Sequence, residues 1–194
     1  MKLIDMSEKD AWASPAALGL AGFGLTTVLL NIHNAGLVEE PLLTFCLGFF
    51  YGGAVQFAAG IIEGRRGDIF GLTAFTSYGA FWIALALAVV LDSLGVLSLT
   101  GIEMAYAMFL WGIFTLYMTV GSFKVSRFAI PLVFTTLTIL FFLLAAGFFV
   151  LHATGSPLVL RIAGIEGIFC GLSALYASAA MVINAQLGRS VLPL

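Results

Sequence analysis

The stretch Ser14–Gly36, SPAALGLAGFGLTTVLLNIHNAG, is apolar enough to lie in lipid, yet it carries four glycines, two adjacent threonines, two asparagines and a histidine. Its apolar part, Ala16–Ile32, has 17 residues, and a helix needs about 20 to cross the hydrocarbon core. Five further runs follow: Pro41–Ile62, Ile69–Leu91, Met104–Val120, Phe128–Leu151 and Ile162–Ile183. None alternates apolar with polar residues as a barrel strand would. The expected fold is an all-α integral membrane protein, with six transmembrane helices around a narrow central pathway in each protomer.

Composition points the same way. Of 194 residues, 61% are hydrophobic and 9% charged, and mean hydropathy is +1.12. A water-soluble domain carries roughly 25% charged residues. No basic patch suits nucleic acid. Cys46 and Cys170 lie in apolar runs without metal-ligand spacing and read as small buried hydrophobes. The first residues, MKLIDMSEKDAWASPAAL, lack the apolar core of a secretory signal, so the first run reads as a retained helix. No Ser/His/Asp set, HExxH, P-loop or GxSxG is present, so neither an enzyme nor a metal or cofactor site is expected.

The breaks between runs are short, so the chain divides into an N-terminal segment 1–15, a six-helix transmembrane domain 16–187 and a tail 188–194. Seven of the eight basic residues fall on the side that holds both termini: Lys2, Lys9, Arg65, Arg66, Lys124, Arg127 and Arg189. Only Arg161 falls on the other. The excess of lysine and arginine predicts cytoplasmic termini in an inner (plasma) membrane.

Residues three or four apart share a helix face. Phe23, Thr27, Asn31 and Asn34 form such a stripe, as do Gly52, Gln56, Gly60 and Glu63. Amides inside a membrane require partners or water, so both stripes point into the bundle, toward another helix or a pore. Thr73, Ser77 and Tyr78 cluster in the third helix, where the hydroxyl of Tyr78 requires a partner. The sixth helix carries the seam Gly164, Gly167, Gly171, Ala174 and Ser178, suited to close packing or to lining a narrow passage. Trp111, Thr115 and Thr119 share a face of the fourth helix, and Thr135–Thr138 cluster in the fifth. Two acids are rim charge candidates: Glu63, beside Arg65 and Arg66, and Glu166, near Arg161. With no basic residue deep in any span, a carboxylate on this path would need protonation, hydrogen-bond donors or an accompanying proton.

The opening stretch resembles the signature of the acetate uptake transporter family, whose bacterial members include succinate–acetate permeases. That signature begins Asn-Pro-Ala-Pro-Leu-Gly-Leu; Ser14 and Ala17 replace its asparagine and second proline. Similar matches are FYGGAVQFAAGIIEGRRGDIFGLTAFTSYGAFW (Phe50–Trp82), LWGIFTLYM (Leu110–Met118) and NAQLGRSVLP (Asn184–Pro193). The resemblance implies a homo-hexamer in the lipid bilayer, each subunit conducting acetate, succinate or related short carboxylates by proton-coupled or channel-like passage. It also implies a constriction of Phe23, Tyr78 and Leu137, with Ala174 as a small residue linked to substrate size. Thr27, Asn31, Gln56, Thr73 and Ser77 then become expected pathway residues. A passive channel for small solutes or undissociated acids and a non-transporting membrane sensor are the alternative readings.

Overall fold

The computed structural model describes residues 12–39 and 41–194, so Lys2, Lys9 and most of the segment 1–15 lie outside it. Six helices are long and apolar enough to cross a membrane: α1 Ala16–Asn34, α2 Leu42–Arg66, α3 Ile69–Ser93, α4 Gly101–Ser122, α5 Ala129–Thr154 and α6 Leu158–Leu187. Each expected run is present, and each helix continues past the C-terminal bound of its run; α2 and α5 begin one residue later than expected, after Pro41 and Phe128, and α4 and α6 begin earlier.

Local chemistry sets the helix ends. The carboxylate of Asp68 accepts the Phe70 N–H at 2.9 Å and starts α3. Thr100 and Glu103 form a reciprocal capping box at α4. Prolines 15, 41 and 157 stand immediately before α1, α2 and α6. Gly67 and Gly155 end α2 and α5 in the left-handed conformation, which glycine adopts without strain. The tail does not hang free: the Asn184 side chain bonds to Leu192 O and accepts the N–H groups of Val191 and Leu192, and Tyr176 donates to Pro193 O.

The middle of α2, Gly48–Val55, is π-helical. Wider turns of this kind concentrate at functional places. Here they offset the face that α2 turns toward α1 and α3.

Small residues decide which helices meet most closely. A Cβ on Gly167 would stand 2.2 Å from the Asn31 side chain, and one on Gly164 2.3 Å from the Ala35 nitrogen. The glycine seam is therefore the surface on which α1 lies. A Cβ on Gly79 would stand 2.6 Å from the Phe57 nitrogen, which holds α3 equally close to α2. The apolar core gathers in the space between α1, α3, α4, α5 and α6, around Phe23, Tyr78, Phe134, Leu137 and Phe141. Outward faces are largely apolar, as with Ile69, Tyr106, Leu110 and Val120. Cys46 belongs to this outer surface, contrary to its expected burial, whereas Cys170 is buried; both are free thiols.

Among the described residues, Arg65, Arg66, Lys124, Arg127 and Arg189 gather at one end of the bundle, and Arg161 stands near the other. The first of these is called the basic end below.

Candidate functional site

Two cavities enter the bundle along its length. The proximal one, beside the basic end, holds about 50 Å³, and its wall is almost wholly apolar apart from Gln56 and Asp68. The distal one holds about 390 Å³ and meets Thr27, Asn31, Asn34 and Trp82. Three residues, Phe23, Tyr78 and Leu137, line both. They stand between the two chambers, contributed by α1, α3 and α5.

The partition is densely packed. The rings of Phe23 and Tyr78 lie 6.0 Å apart. Tyr78 is further enclosed by Trp111, Phe114, Phe134 and Phe141, with ring centroids 5.5–6.5 Å away. Edge and offset contacts of this kind each contribute about 1 kcal/mol beyond area burial. The phenol oxygen lies 2.9 Å from Thr115 Oγ1, which spends its own proton on Trp111 O at 2.8 Å. Tyr78 is therefore the donor, and Thr115 is the partner its hydroxyl required. The phenol serves as an anchor to α4, and the ring forms the wall. The spacing of Trp111, Thr115 and Thr119 revealed a polar face on α4 but gave no sign of its partner on α3.

The adjacent threonines of α1 have different fates. Thr26 Oγ1 donates back to Gly22 O at 2.8 Å and rests against Gly52 of α2. Thr27 Oγ1 has no hydrogen-bond partner, and its residue lines the distal cavity. One turn on, Asn31 Nδ2 donates to Thr27 O at 2.9 Å, and its Oδ1 accepts from Asn34 Nδ2 at 3.1 Å. The stripe from Phe23 to Asn34 thus reaches the distal cavity along its whole length, and Asn31 is satisfied within its own helix.

Gln56 follows the π-helical stretch, and its side chain lines the proximal cavity. It is almost fully buried, and its Oε1 has no partner. The position where Gly22 would carry a Cβ lies 3.9 Å from Gln56 Cβ, so Gln56 stands near the level of the partition. Neither cavity is lined by lysine or arginine among the described residues, whereas Asp68 lines one and Asp92 the other.

Some expected residues do not join this site. Thr73 and Ser77 are half-buried and line neither cavity; they share a stripe of α3 with exposed Ala80 and Ala84, turned away from Tyr78. Ala174 is fully buried in the core and lines neither cavity. Glu63 behaves as a paired rim charge: its Oε2 accepts from Arg66 Nε at 3.2 Å and its Oε1 from Ser14 Oγ at 2.7 Å. Arg66 also donates to Trp12 O, so this cluster ties the start of α1 to the end of α2. Ser14 in addition accepts the Ala16 N–H at 3.3 Å, although Pro15 and not Ser14 occupies the N-cap position of α1. Glu166 does not form the expected pair with Arg161. Both its oxygens are buried without a partner, while the Arg161 side chain lies against Gly36. Trp82 Nε1 is likewise buried without a partner in the wall of the distal cavity, and sequence spacing gave no reason to single it out.

Comparison with known proteins extends this picture. The sequence model of the GPR1/FUN34/yaaH family matches residues 3–193. The Escherichia coli (strain K12) succinate-acetate/proton symporter SatP is 43% identical, over 94% of this chain and 95% of its own length. Acetate permease A of Emericella nidulans is 32% identical, over 96% of this chain and 67% of its own length. A solved structure described as the bacterial acetate channel SatP superposes with a TM-score of 0.88 at 43% identity, covering 94% of this chain and 99% of that one.

Proposed function

The chain belongs to the GPR1/FUN34/yaaH family, and from that premise we propose that it carries acetate across a membrane through a conduit inside each protomer. The relatives described above are named as a symporter, a permease and a channel, not as enzymes. Succinate and other short carboxylates are further substrates. Phe23, Tyr78 and Leu137 form the gate, and the observation that carries this is their shared position in the walls of both cavities. Gln56 serves the proximal approach; Thr27, Asn31 and Asn34 serve the distal one.

The charge pattern supports proton-linked passage. A carboxylate entering an apolar constriction loses its hydration, and an isolated charge in such surroundings is very costly. No fixed cation compensates it, and an aspartate lines each cavity. Acetate therefore crosses the gate as the undissociated acid, or together with a proton. The basic end faces the cytoplasm of the cell that carries the protein, by the lysine and arginine bias. Residues 16–187 form one transport domain, which assembles as a homo-hexamer in the inner membrane through its apolar outer faces.

A passive channel is the second reading, favoured by the relative described as a channel; the other SatP name is that of a symporter. Proteoliposome uptake of labelled acetate separates them. Accumulation driven by an inward proton gradient, after subtraction of protein-free vesicles, marks proton-linked passage, by symport or as the undissociated acid; uptake that does not respond to the proton gradient marks a channel for the anion. Absence of acetate flux above protein-free vesicles rejects both. Leu137→Ala should raise the succinate-to-acetate flux ratio by about tenfold, the scale on which apolar sites discriminate single methylenes.

A further inference from the structure

One acid lies inside a span and belongs to neither cavity. Glu166 stands eight residues past the start of α6 at Leu158, about 12 Å along the helix axis, with most of the helix still to come. Two contacts between α5 and α6 fix its depth. A Cβ on Gly147 would lie 2.9 Å from Leu160 Cα, and Cys170 Sγ approaches Val133 O at 3.9 Å. Glu166 falls between Leu160 and Cys170, so it lies at the depth of the α5 stretch between Val133 and Gly147, which also carries Leu137. Leu137 lines both cavities, whereas Glu166 lines neither. The acid therefore stands near the level of the partition but outside the conduit.

The surroundings offer a charge no support. One turn away on α6 are Ile162 and Phe169, exposed on the outer face, and Ala163 and Cys170, fully buried. Glu166 sits at the edge between these faces, half-buried, with both carboxyl oxygens closed off and without a hydrogen-bond partner. α6 packs on α1 and α5, and the titratable groups of all three helices are engaged elsewhere. On α6, Arg161 lies against Gly36, Cys170 turns its thiol to Val133 O, and Tyr176 donates to Pro193 O at 2.9 Å. On α5 there is His152 alone, in the last turn and beside Gly101. On α1 there is His33, whose Nδ1 lies 3.0 Å from Val38 O. The buried hydroxyls of the α5 stretch, Thr136 and Thr138, donate to their own helix at 2.8 and 2.9 Å.

An ionised carboxyl in such a place has lost its water and gained neither a cation nor a donor, and the alternative to that cost is the neutral form. The oxygens are closed off by this chain's own atoms, so neither lipid nor a neighbouring molecule reaches them to act as the missing partner. We propose that Glu166 is a proton-binding site of its own, held as the carboxylic acid inside the membrane and apart from the conduit. Its ligand is one proton, bound on a carboxyl oxygen and not passed to the substrate. That proton keeps α6 seated on α5 behind Leu137, because an ionised Glu166 draws water into the seam against the helix that bears one side of the partition. The proposal rests on the membrane-spanning fold and not on the transport reading.

The test is infrared spectroscopy of the purified full chain in lipid vesicles at neutral pH. Subtracting the spectrum of Glu166→Gln, and separately that of Glu166→Leu, isolates the Glu166 carboxyl as the band common to both differences. The expected loss is a single C=O stretch of a protonated carboxylic acid, at the high-frequency end of its range where no hydrogen bond is made. Loss of the paired symmetric and antisymmetric carboxylate bands in its place overturns the proposal. Melting in detergent gives a second reading. Removing an unpartnered group costs no hydrogen bond, so Glu166→Leu should melt within about 3 °C of wild type, or above it. A larger fall reveals a partner for the carboxyl and overturns the proposal as well. If Glu166→Gln does not fold, Glu166→Leu supplies both readings. Either folded variant should keep proton-driven acetate uptake at the wild-type level, and its loss overturns the placement outside the conduit. Absence of flux in the wild type rejects the transport reading and leaves the infrared result to decide this one.

Discussion

The proximal cavity holds about 50 Å³ with Gln56 and Asp68 in an otherwise apolar wall, whereas the distal cavity holds about 390 Å³ and brings Thr27, Asn31, Asn34 and Trp82 to its surface. The same three side chains separate them. On the proposed reading this asymmetry stages desolvation: a carboxylic acid would meet hydrogen-bonding groups and room for water on one side, then a tight apolar passage on the other. The adjacent threonines show the contrast within one helix turn. Thr26 satisfies itself and packs against Gly52, whereas Thr27 is left for whatever fills the larger chamber.

The largest expected disruption of that contrast is Gly167→Val. Any side chain there collides with Asn31, lifts α1 from α6 and collapses the distal wall. Overpacking of this kind costs about 1–3 kcal/mol or more. The thermal midpoint in detergent should fall by at least about 5 °C, with acetate flux lost. Gly155→Ala is the companion: nothing lies near its Cβ, and only its left-handed backbone is strained. It should cost about 1 kcal/mol and leave flux intact.

Next in size is Gln56→Leu, which removes the amide from the proximal wall near the level of the partition. Acetate flux should fall by about tenfold, on the scale of one lost substrate hydrogen bond. Flux equal to wild type would make the proximal chamber a purely apolar funnel and sharpen the asymmetry. Tyr78→Phe is smaller. Because the phenol donates to Thr115 and the ring forms the wall, stability should drop by about 1 kcal/mol while substrate selectivity stays constant, as read by melting and by the succinate-to-acetate flux ratio. The smallest effect is expected from Thr26→Val. Its hydroxyl serves only its own helix, so the half-saturating acetate concentration should match wild type within about twofold.

The fold was readable because lipid imposes a length and a polarity on every span. Residues 16–32 and 69–91 needed only polar ends to become α1 and α3. The glycine seam of α6 was visible at its spacing of three and four, and the structure shows its use: α1 lies on Gly164 and Gly167. The site was legible where a stripe stays on one helix, as from Phe23 to Asn34. It failed where the outcome depends on a second helix. Thr73 and Ser77 carry the same hydroxyl chemistry as Thr27, but α2 meets α3 at Gly79, and this orientation turns them away from the cavities. Glu166 and Arg161 are close in sequence, yet a helix of 3.6 residues per turn sends side chains five apart to different faces. Trp82 was passed over because an unpartnered indole N–H is a consequence of the packing, which no spacing encodes.

The central claim, that acetate passes between Phe23, Tyr78 and Leu137, has a direct test on one helix. Leu137 is 2% exposed and lines both cavities, whereas Ile139, two residues on, is 47% exposed on the outer face. Labelled-acetate flux should be measured in proteoliposomes for Leu137→Trp and Ile139→Trp, each first checked for monodisperse elution. Loss of at least about tenfold for Leu137→Trp, with Ile139→Trp near wild type, is the expected result. Equal flux through both folded variants would place the conduit elsewhere.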